Sequence, residues 1–421
     1  MFESDLASAV AGVEDAPVGC GPLLPEPGPV NRPLRQQVFE QVRASGRMAR
    51  ADVTRSLSVS AGSVTSVTAD LIAMGLLREV HGAPRDGGRG RPPVALEVVP
   101  GAGRVIGIKL SDETHTAVVA DFSGAILAEA SLAAPPLRRS AAEVIEEIAQ
   151  LTESVLAQAG LPAAAIGAVG IGLSGLVDPQ TRRVAWSPLL ARPDVDLEAR
   201  IAERLGLPVR IDNDANMLTL AELWFGEGRG KSDFAVVTIE NGVGMGLVQG
   251  NRLWRGSRGM GMELGHTKVQ LDGALCRCGA RGCLEAYLAD YALAREASTA
   301  LGRSVRNLQS PQGMLESLYA EAKAGNQTAQ TIFRRAGRYL AVGLANVAQL
   351  FDPDLIILSG ERMRYDYLYA EEVMALVRDL TLSHGRSPVR VEIHRWGDMV
   401  WARGAAALAL SGLTERLLGV E

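Results

Sequence analysis

The sequence predicts an α/β protein in two unequal parts, a small basic module ahead of a larger acidic body. Three observations carry that expectation. Charge is divided unevenly: residues 1–30 hold five acids and no Lys or Arg, and residues 31–95 hold ten Arg against five acids. These two segments cancel, which leaves the body with the whole net charge of −5. Beyond Pro100, short apolar runs alternate with amphipathic stretches, the pattern of an α/β body. Three of the four cysteines fall in one short stretch, CRCGARGCLE at 276–285.

At 421 residues the chain is long enough for two or three domains, which commonly run about 100–200 residues each. No apolar run reaches the ~18–20 residues of a membrane span, and MFESDLASAVAG lacks the basic start of a secretory signal. Clustered cysteines argue against an extracellular disulfide framework. The expectation is a cytoplasmic protein with no membrane segment.

Residues 1–30, ending GCGPLLPEPGPV, are rich in Pro and Gly without an apolar period, and read as a disordered acidic tail. From Asn31, LRQQVFEQVRASG places Leu34, Val38, Phe39 and Val42 on one helical face and stops at Gly46. RADVTRSL is a second short helix. SVSAGSVTSVTADLIAMGLL is a third, with Ser60 as N-cap, Val64, Val67, Leu71 and Met74 sharing a face, and Ser63, Thr65, Ser66 and Thr68 outward. Two short strands, LREV and VALEVV, then flank a loop containing Arg85, Arg89 and Arg91. Three helices followed by a hairpin is the order of a winged helix-turn-helix, expected over residues 31–98. In that arrangement Ser63, Thr65 and Ser66 face base edges in the major groove, and the three arginines reach the neighbouring backbone or minor groove. The implied partner is a double-stranded DNA operator, although winged helices also serve as protein-interaction modules.

In the body, RVIGIKL, HTAVVADF and AILAEASL read as a three-stranded meander and SAAEVIEEIAQLTESVLAQAG as an amphipathic helix. AIGAVGIGLSG, LPVRIDND, FAVVTIENGVGMGLVQG and DLIILSG continue a mostly buried sheet, with a long helix from about Thr328 to Leu350.

Thiolates at Cys276, Cys278 and Cys283 can share one ion, since Gly279 and Gly282 permit the tight turn between them. His266, ten residues upstream in GMELGHTKV, is the natural fourth donor of a closed tetrahedral Zn2+ site. A redox pair or inert thiols are the alternatives, and a 276–278 disulfide would be strained.

ELGH at 263–266, CRCGARGCLE at 276–285 and IDNDANMLTLAE at 211–222 together resemble the ROK family (repressor, open reading frame, kinase). The module in front resembles its repressor branch, the sugar-responsive regulators of the xylose-repressor and N-acetylglucosamine-repressor type. The resemblance spans about residues 31–421. It implies a two-lobed actin/hexokinase-like body with a structural zinc site. The first lobe would cover residues 100–215 plus a returning C-terminal helix at about 402–418, and the second residues 216–401. It implies sugar contacts from Asn213, Asp214, Glu263, His266 and Glu285, with Gly175 beside them; Asp214 occupies the base position of the kinases. Taken alone, Asp212 and Asp214 read as a strand-end turn with helix caps.

The nucleotide half departs from the family. Where ROK kinases carry Asp-x-Gly-Gly-Thr, IGIKLSDETHT puts Lys109, Ser111, Asp112 and Glu113, two acids where a triphosphate would lie. ENGVGMG at 240–246 has Glu240 and Asn241 at the first two places of the second phosphate segment, and Ser359-Gly360 replaces a late Gly-Gly. GEGRGKS at 226–232 is not a P-loop, because Phe225 stands where its first glycine would be. The expectation is therefore a regulator that is not an enzyme. It would bind a sugar or sugar-phosphate effector and act as a homodimer or dimer of dimers. An active sugar kinase with a DNA-binding arm, or a sugar-blind regulator governed by a protein partner, is the alternative. Leu189 and Ser174 depart from sugar-binding relatives and leave the sugar unidentified.

Overall fold

The computed structural model describes residues 19–24, 32–80, 94–135, 138–300, 311–366, 370–382, 384–385, 387–397 and 399–419. The N-terminal module contains α1 (Leu34–Ser45), β1 (Arg47–Ala49), α2 (Arg50–Leu57), α3 (Ala61–Ala73), β2 (Leu77–Val80) and β3 (Ala95–Val98). Its strands form an antiparallel sheet in the order β1-β3-β2, with β1 an element that periodicity did not announce. Helix α1 buries Val38, Phe39 and Val42 completely. The Ser60 hydroxyl caps α3 by accepting from the Ser63 N–H at 3.1 Å. Two details of α3 differ from the sequence reading. Thr68 is buried, its hydroxyl accepting from Arg50 Nε at 2.9 Å, whereas Met74 lies past the helix end and is exposed. Arg85, Arg89 and Arg91 lie outside the described residues.

The first lobe of the body comprises β4 (Arg104–Leu110), β5 (Thr114–Asp121), β6 (Ile126–Ala133), α4 (Ala141–Ala159), β7 (Ala168–Leu173), β8 (Leu176–Val177), β9 (Val184–Trp186), α5 (Leu197–Leu205), β10 (Val209–Asn213) and α6 (Asp214–Phe225). Its sheet runs β10-β7-β4-β5-β6, parallel from β10 to β4 and then an antiparallel meander. Strand alternation divides the core. Ile106 and Ile108 face α4 and α5, while Val105 faces α12 (Val400–Leu418), the C-terminal helix. Two glycines set how closely that helix lies: a Cβ on Gly107 would come within 2.0 Å of Ala402 O, and one on Gly170 within 1.9 Å of Ala405 O. The helix thus returns to the first lobe in near-backbone contact with its sheet.

The second lobe contains β11 (Phe234–Ile239), β12 (Val243–Gln249), β13 (Arg252–Trp254), α7 (Glu285–Leu288), α8 (Asp290–Ala300), α9 (Pro311–Lys323), α10 (Gln327–Phe351), β14 (Leu355–Ser359), α11 (Glu371–Leu380) and β15 (Arg390–His394). The sheet order is β13-β12-β11-β14-β15. Ala235, Val237 and Ile239 pack under α8 to α11, whereas Phe234 and Val236 face α6. Helix α6 therefore lies between the lobes, its backbone against α12 at Gly404 and its Thr219 against Gly246 of β12.

One stretch read as disordered tail is in place. Residues 19–24 run between module and body: Cys20 N donates to Arg43 O (3.1 Å), Gly21 N to Trp224 O (2.9 Å) and Leu23 N to Arg229 O (2.8 Å). Composition misled here because helix ends α1 and α6 supply the partners that an irregular backbone cannot find within itself. Module and body also meet through the Phe39–Phe122 ring pair, 4.8 Å apart, and through Arg35, which donates to Leu418 O and Gly419 O. No helix among the described residues is long and apolar enough to cross a membrane.

Candidate functional site

The chain leaves β10 into α6 at Asn213, which caps the helix by accepting from the Ala215 N–H at 2.8 Å. The cap is thus the Asn rather than either flanking Asp. Its Nδ2 donates to Gly175 O at 2.8 Å, and Gly175 sits at φ 142° with a Cβ position only 2.2 Å from Trp186 O, so only glycine fits. Asp214 accepts from the Ser174 hydroxyl and from Ala215 N. Asp212, by contrast, is buried and fully engaged: Arg255 Nε lies at 2.5 Å, Asn216 Nδ2 and Asn213 N each at 2.7 Å. Its role is to hold β13 and the start of α6 together.

Glu263 faces this corner from the loop after β13. Burial raises its pKa, the His266 ring opposes the shift, and the Asp214 and Glu285 carboxylates add to it. His266 Nε2 lies 3.9 Å from Glu263 Oε2, and the Asp214 and Glu285 carboxylates are near enough to act on it. Glu285, at the start of α7, is buried and accepts from Tyr291 OH (3.3 Å) and Cys276 Sγ (3.4 Å). Gly242 leaves room for it, since a Cβ there would lie 3.1 Å from Glu285 Oε2. Of the residues expected on the sugar side, Asn213 meets Gly175, and Asp214, His266 and Glu285 lie near Glu263.

His266, Cys276, Cys278 and Cys283 also converge, each offering a donor atom within 4.8 Å of the others, and could hold a metal ion. Cys276 Sγ is 3.7 Å from His266 Nδ1, and Cys278 Sγ is 3.8 Å from Cys283 Sγ. The turn needs its glycines: Gly279 has φ 88° and Gly282 φ 75°, and a Cβ on Gly282 would lie 1.6 Å from Gln270 O. Without an ion the thiols are not alike. Burial pushes Cys276 up to about 12, whereas Cys278 is lowered: burial is the largest single influence and raises it, but the Ala280 N–H, both neighbouring thiols and Lys268 together outweigh it. Lys268 Nζ lies 2.8 Å from Cys283 Sγ, a positive group beside three prospective thiolates. Tyr287 and Tyr339 stack at 4.0 Å behind the loop, each reaching Gln270 Oε1.

Lys109 Nζ stands 3.5 Å from the Trp401 ring centroid, and Asn241 Nδ2 lies 3.4 Å from both oxygens of Asp112, so the turn after β4 faces the turn between β11 and β12. At the far end of α6 a fully buried carboxylate, Glu222, accepts from Trp396 Nε1 (2.7 Å) and pairs with His394 Nδ1 (2.9 Å). Ser63, Thr65 and Ser66 are exposed on α3, as expected, although Thr65 Oγ1 is engaged with Ala61 O at 2.8 Å. Lys268, Tyr291, Glu222, His394 and Arg43 were not singled out from sequence. Of these only Lys268 carried a signal, two residues beyond His266.

The two sheets, the helix pair between them and the Cys3His loop define a two-lobed actin/hexokinase-like α/β protein. Residues 105–411 match the ROK family over most of the body, and the chain belongs to that family. It is 24% identical over 375 residues to the xylose repressor of Caldicellulosiruptor bescii, covering 87% of this chain and 92% of the relative. Among solved structures, it resembles a ROK-family transcriptional regulator, a homolog of the Escherichia coli MLC protein, at 25% identity and TM-score 0.75 over 91% of this chain and 96% of that one. A ROK glucokinase from Streptomyces griseus, solved with glucose and AMPPNP, matches at 30% identity and TM-score 0.63 over 74% of this chain and 100% of its own. The regulator covers the N-terminal module as well as the body; the kinase covers the body alone.

Proposed function

We propose that the protein is a sugar-responsive transcriptional regulator, acting as a repressor, whose N-terminal module is a winged helix-turn-helix. The carrying observation is the contrast within the cleft. Asn213, Asp214, Glu263, His266 and Glu285 gather around one space, while Lys109, Asp112 and Asn241 occupy the places of the phosphate turns. A pyranose offers vicinal hydroxyls that carboxylates and amides satisfy in pairs. A triphosphate would meet Asp112 instead of glycine backbone.

The metal is zinc in this reading, held by His266, Cys276, Cys278 and Cys283 in a closed, structural site. Zinc–sulfur and zinc–nitrogen bonds of about 2.3 and 2.1 Å give tetrahedral edges of roughly 3.6–3.8 Å, which the Cys276–His266 and Cys278–Cys283 separations of 3.7 and 3.8 Å match, with all four donors within 4.8 Å. When bound, the ion fixes the loop between the ELGH segment and α7. The residues do the rest: His266 and Glu285 leave that loop toward the sugar, and Tyr291 orients Glu285.

The module binds a palindromic operator as a homodimer or dimer of dimers, with Ser63, Thr65 and Ser66 at base edges and Arg85, Arg89 and Arg91 on the flanking backbone. The setting is cytoplasmic. Sugar binding in the cleft shifts the lobes toward closure, and coupling follows from its differential affinity for the two arrangements.

The test is operator release. A duplex selected from random sequence is bound to the full chain, and hexoses, pentoses, N-acetylhexosamines and their phosphates are added while anisotropy is followed. One sugar class should change operator affinity by about tenfold or more. An Asp214→Ala chain should keep operator binding and lose that response. Sugar-dependent ATP hydrolysis in the same preparation would make the protein a kinase and overturn the reading. No response to any sugar, with metal in place, would point to control by a protein partner.

A further inference from the structure

A cavity of about 460 Å³ lies at the joint between module and body, with Asp212, the residue before Asn213, in its wall. Gln41 and Arg43 of α1, Leu220 and Trp224 of α6 and Leu408 of α12 line it. Its size is that of small-molecule sites, about 300–1,000 Å³, which favour domain boundaries.

On α1, Arg43 is left with unmet demand, and Gln41 offers its amide to the cavity. Gln41 is buried, yet its amide makes no hydrogen bond among the described residues. Arg43 is 3% exposed; Nη1 donates to Thr414 Oγ1 at 2.8 Å, Nε has no partner, and among the described residues no carboxylate lies within ion-pair distance. The Trp224 and Phe39 rings, 4.6 and 5.4 Å from its guanidinium carbon, offset part of the charge. Neighbouring Cys20 cannot neutralise it, because burial holds that thiol up at about 11. A buried charge without a counter-ion is costly, and the cost falls when an anion arrives. The rest of the lining is balanced, with Arg32, Arg182, Arg210, Arg252 and Arg255 against Glu40, Asp178, Glu198, Asp212 and Glu415, so Arg43 is the charge in excess. Arg255 is matched to Asp212, whereas Arg182 and Arg210 share one carboxylate, Glu198, at 3.6 and 3.8 Å.

We propose that this cavity is a second ligand site, for a small organic anion bearing a carboxylate or phosphate group. Arg43 supplies the charge, the Gln41 amide a hydrogen bond, and Leu220, Leu408 and Trp224 the apolar wall. An occupant touches α1, α6 and α12 together, so it favours the present seating of the module on the body. The site does not depend on the cleft binding sugar.

Titration calorimetry on the full chain tests it, with citrate, glucose 6-phosphate and inorganic phosphate as probes. Citrate, glucose 6-phosphate or both should bind one per chain with Kd below about 1 mM. Citrate alone identifies a carboxylate ligand, glucose 6-phosphate alone a phosphate ester. Gln41→Leu, which keeps the packing, and Leu408→Trp, which fills the space, should each weaken binding by about tenfold or more. Asp214→Ala should leave it within about twofold. Circular dichroism checks that each variant is folded. The proposal is overturned if neither organic anion binds, if inorganic phosphate binds as tightly as they do, or if binding survives both cavity variants. It is likewise overturned if binding is lost with Asp214→Ala, which would assign it to the cleft.

Discussion

Gly282 shows how much of the metal loop rests on single positions. Its φ of 75° and the 1.6 Å approach of Gln270 O to a Cβ position leave no conformation an alanine can share. Gly282→Ala should cost roughly 2 kcal/mol or more in local strain and open the turn that returns Cys283 to its partners. Metal content by mass spectrometry and the thermal midpoint should fall together. Stoichiometric metal with an unchanged midpoint would refute the strained-turn account. The convergence of the four donors was legible in the sequence because metal-donor chemistry restricts residue type and spacing, whereas the sugar-side residues were named only through the family resemblance. Glu222 and Arg43 were not legible, since their partners Trp396, Thr414 and the α1–α6 contact are distant in the chain and no local pattern marks them.

Among the elements, α6 connects the most parts of the molecule. Its first turn carries Asn213 and Asp214, its middle packs on α12 and β12, and its last turn places Glu222 under β14 and β15 and Trp224 against α1. The Glu222–His394 pair makes this arrangement pH-dependent. The Glu222 hydrogen bond raises the His394 pKa, against the opposing effect of burial. A histidine with a raised folded pKa contributes stability that is complete below its ordinary value near 6.5 and is lost as pH rises through the folded value. The difference in thermal midpoint between the native chain and His394→Gln should therefore be largest near pH 6 and shrink toward pH 8. His115, lowered by burial in the Glu147 pocket, contributes with the opposite sign but is common to both proteins and cancels. A pH-independent difference would show that His394 stays neutral. Periodicity anticipated the helices and the meander well; α2 falls on RADVTRSL and α10 within about a residue of its expected ends. It failed at β1, at Met74 and at residues 19–24, where tertiary contacts rather than local pattern decide the conformation.

Across the whole molecule, charge and architecture divide the work in the same place. The body is acidic and carries the cleft and the metal loop; the module is basic, and its exposed α3 face is small and polar. A polyanion therefore has one electrostatically favourable approach, and binding there must release counterions in proportion to the phosphates neutralised. Arg89 and Arg91 lie outside the described residues; if they contact phosphates as proposed, each would contribute about 0.9 to the slope of log K against log salt. Arg89→Ala with Arg91→Ala should weaken operator binding and reduce that slope by about two, while sugar and metal binding in the distant body stay as they were. Anisotropy titrations between about 50 and 200 mM salt measure it. An unchanged slope would mean that these arginines do not touch DNA; the phosphate contacts would then have to come from elsewhere in the module, where Arg47, Arg50 and Arg78 are already paired with Glu97 and Glu79.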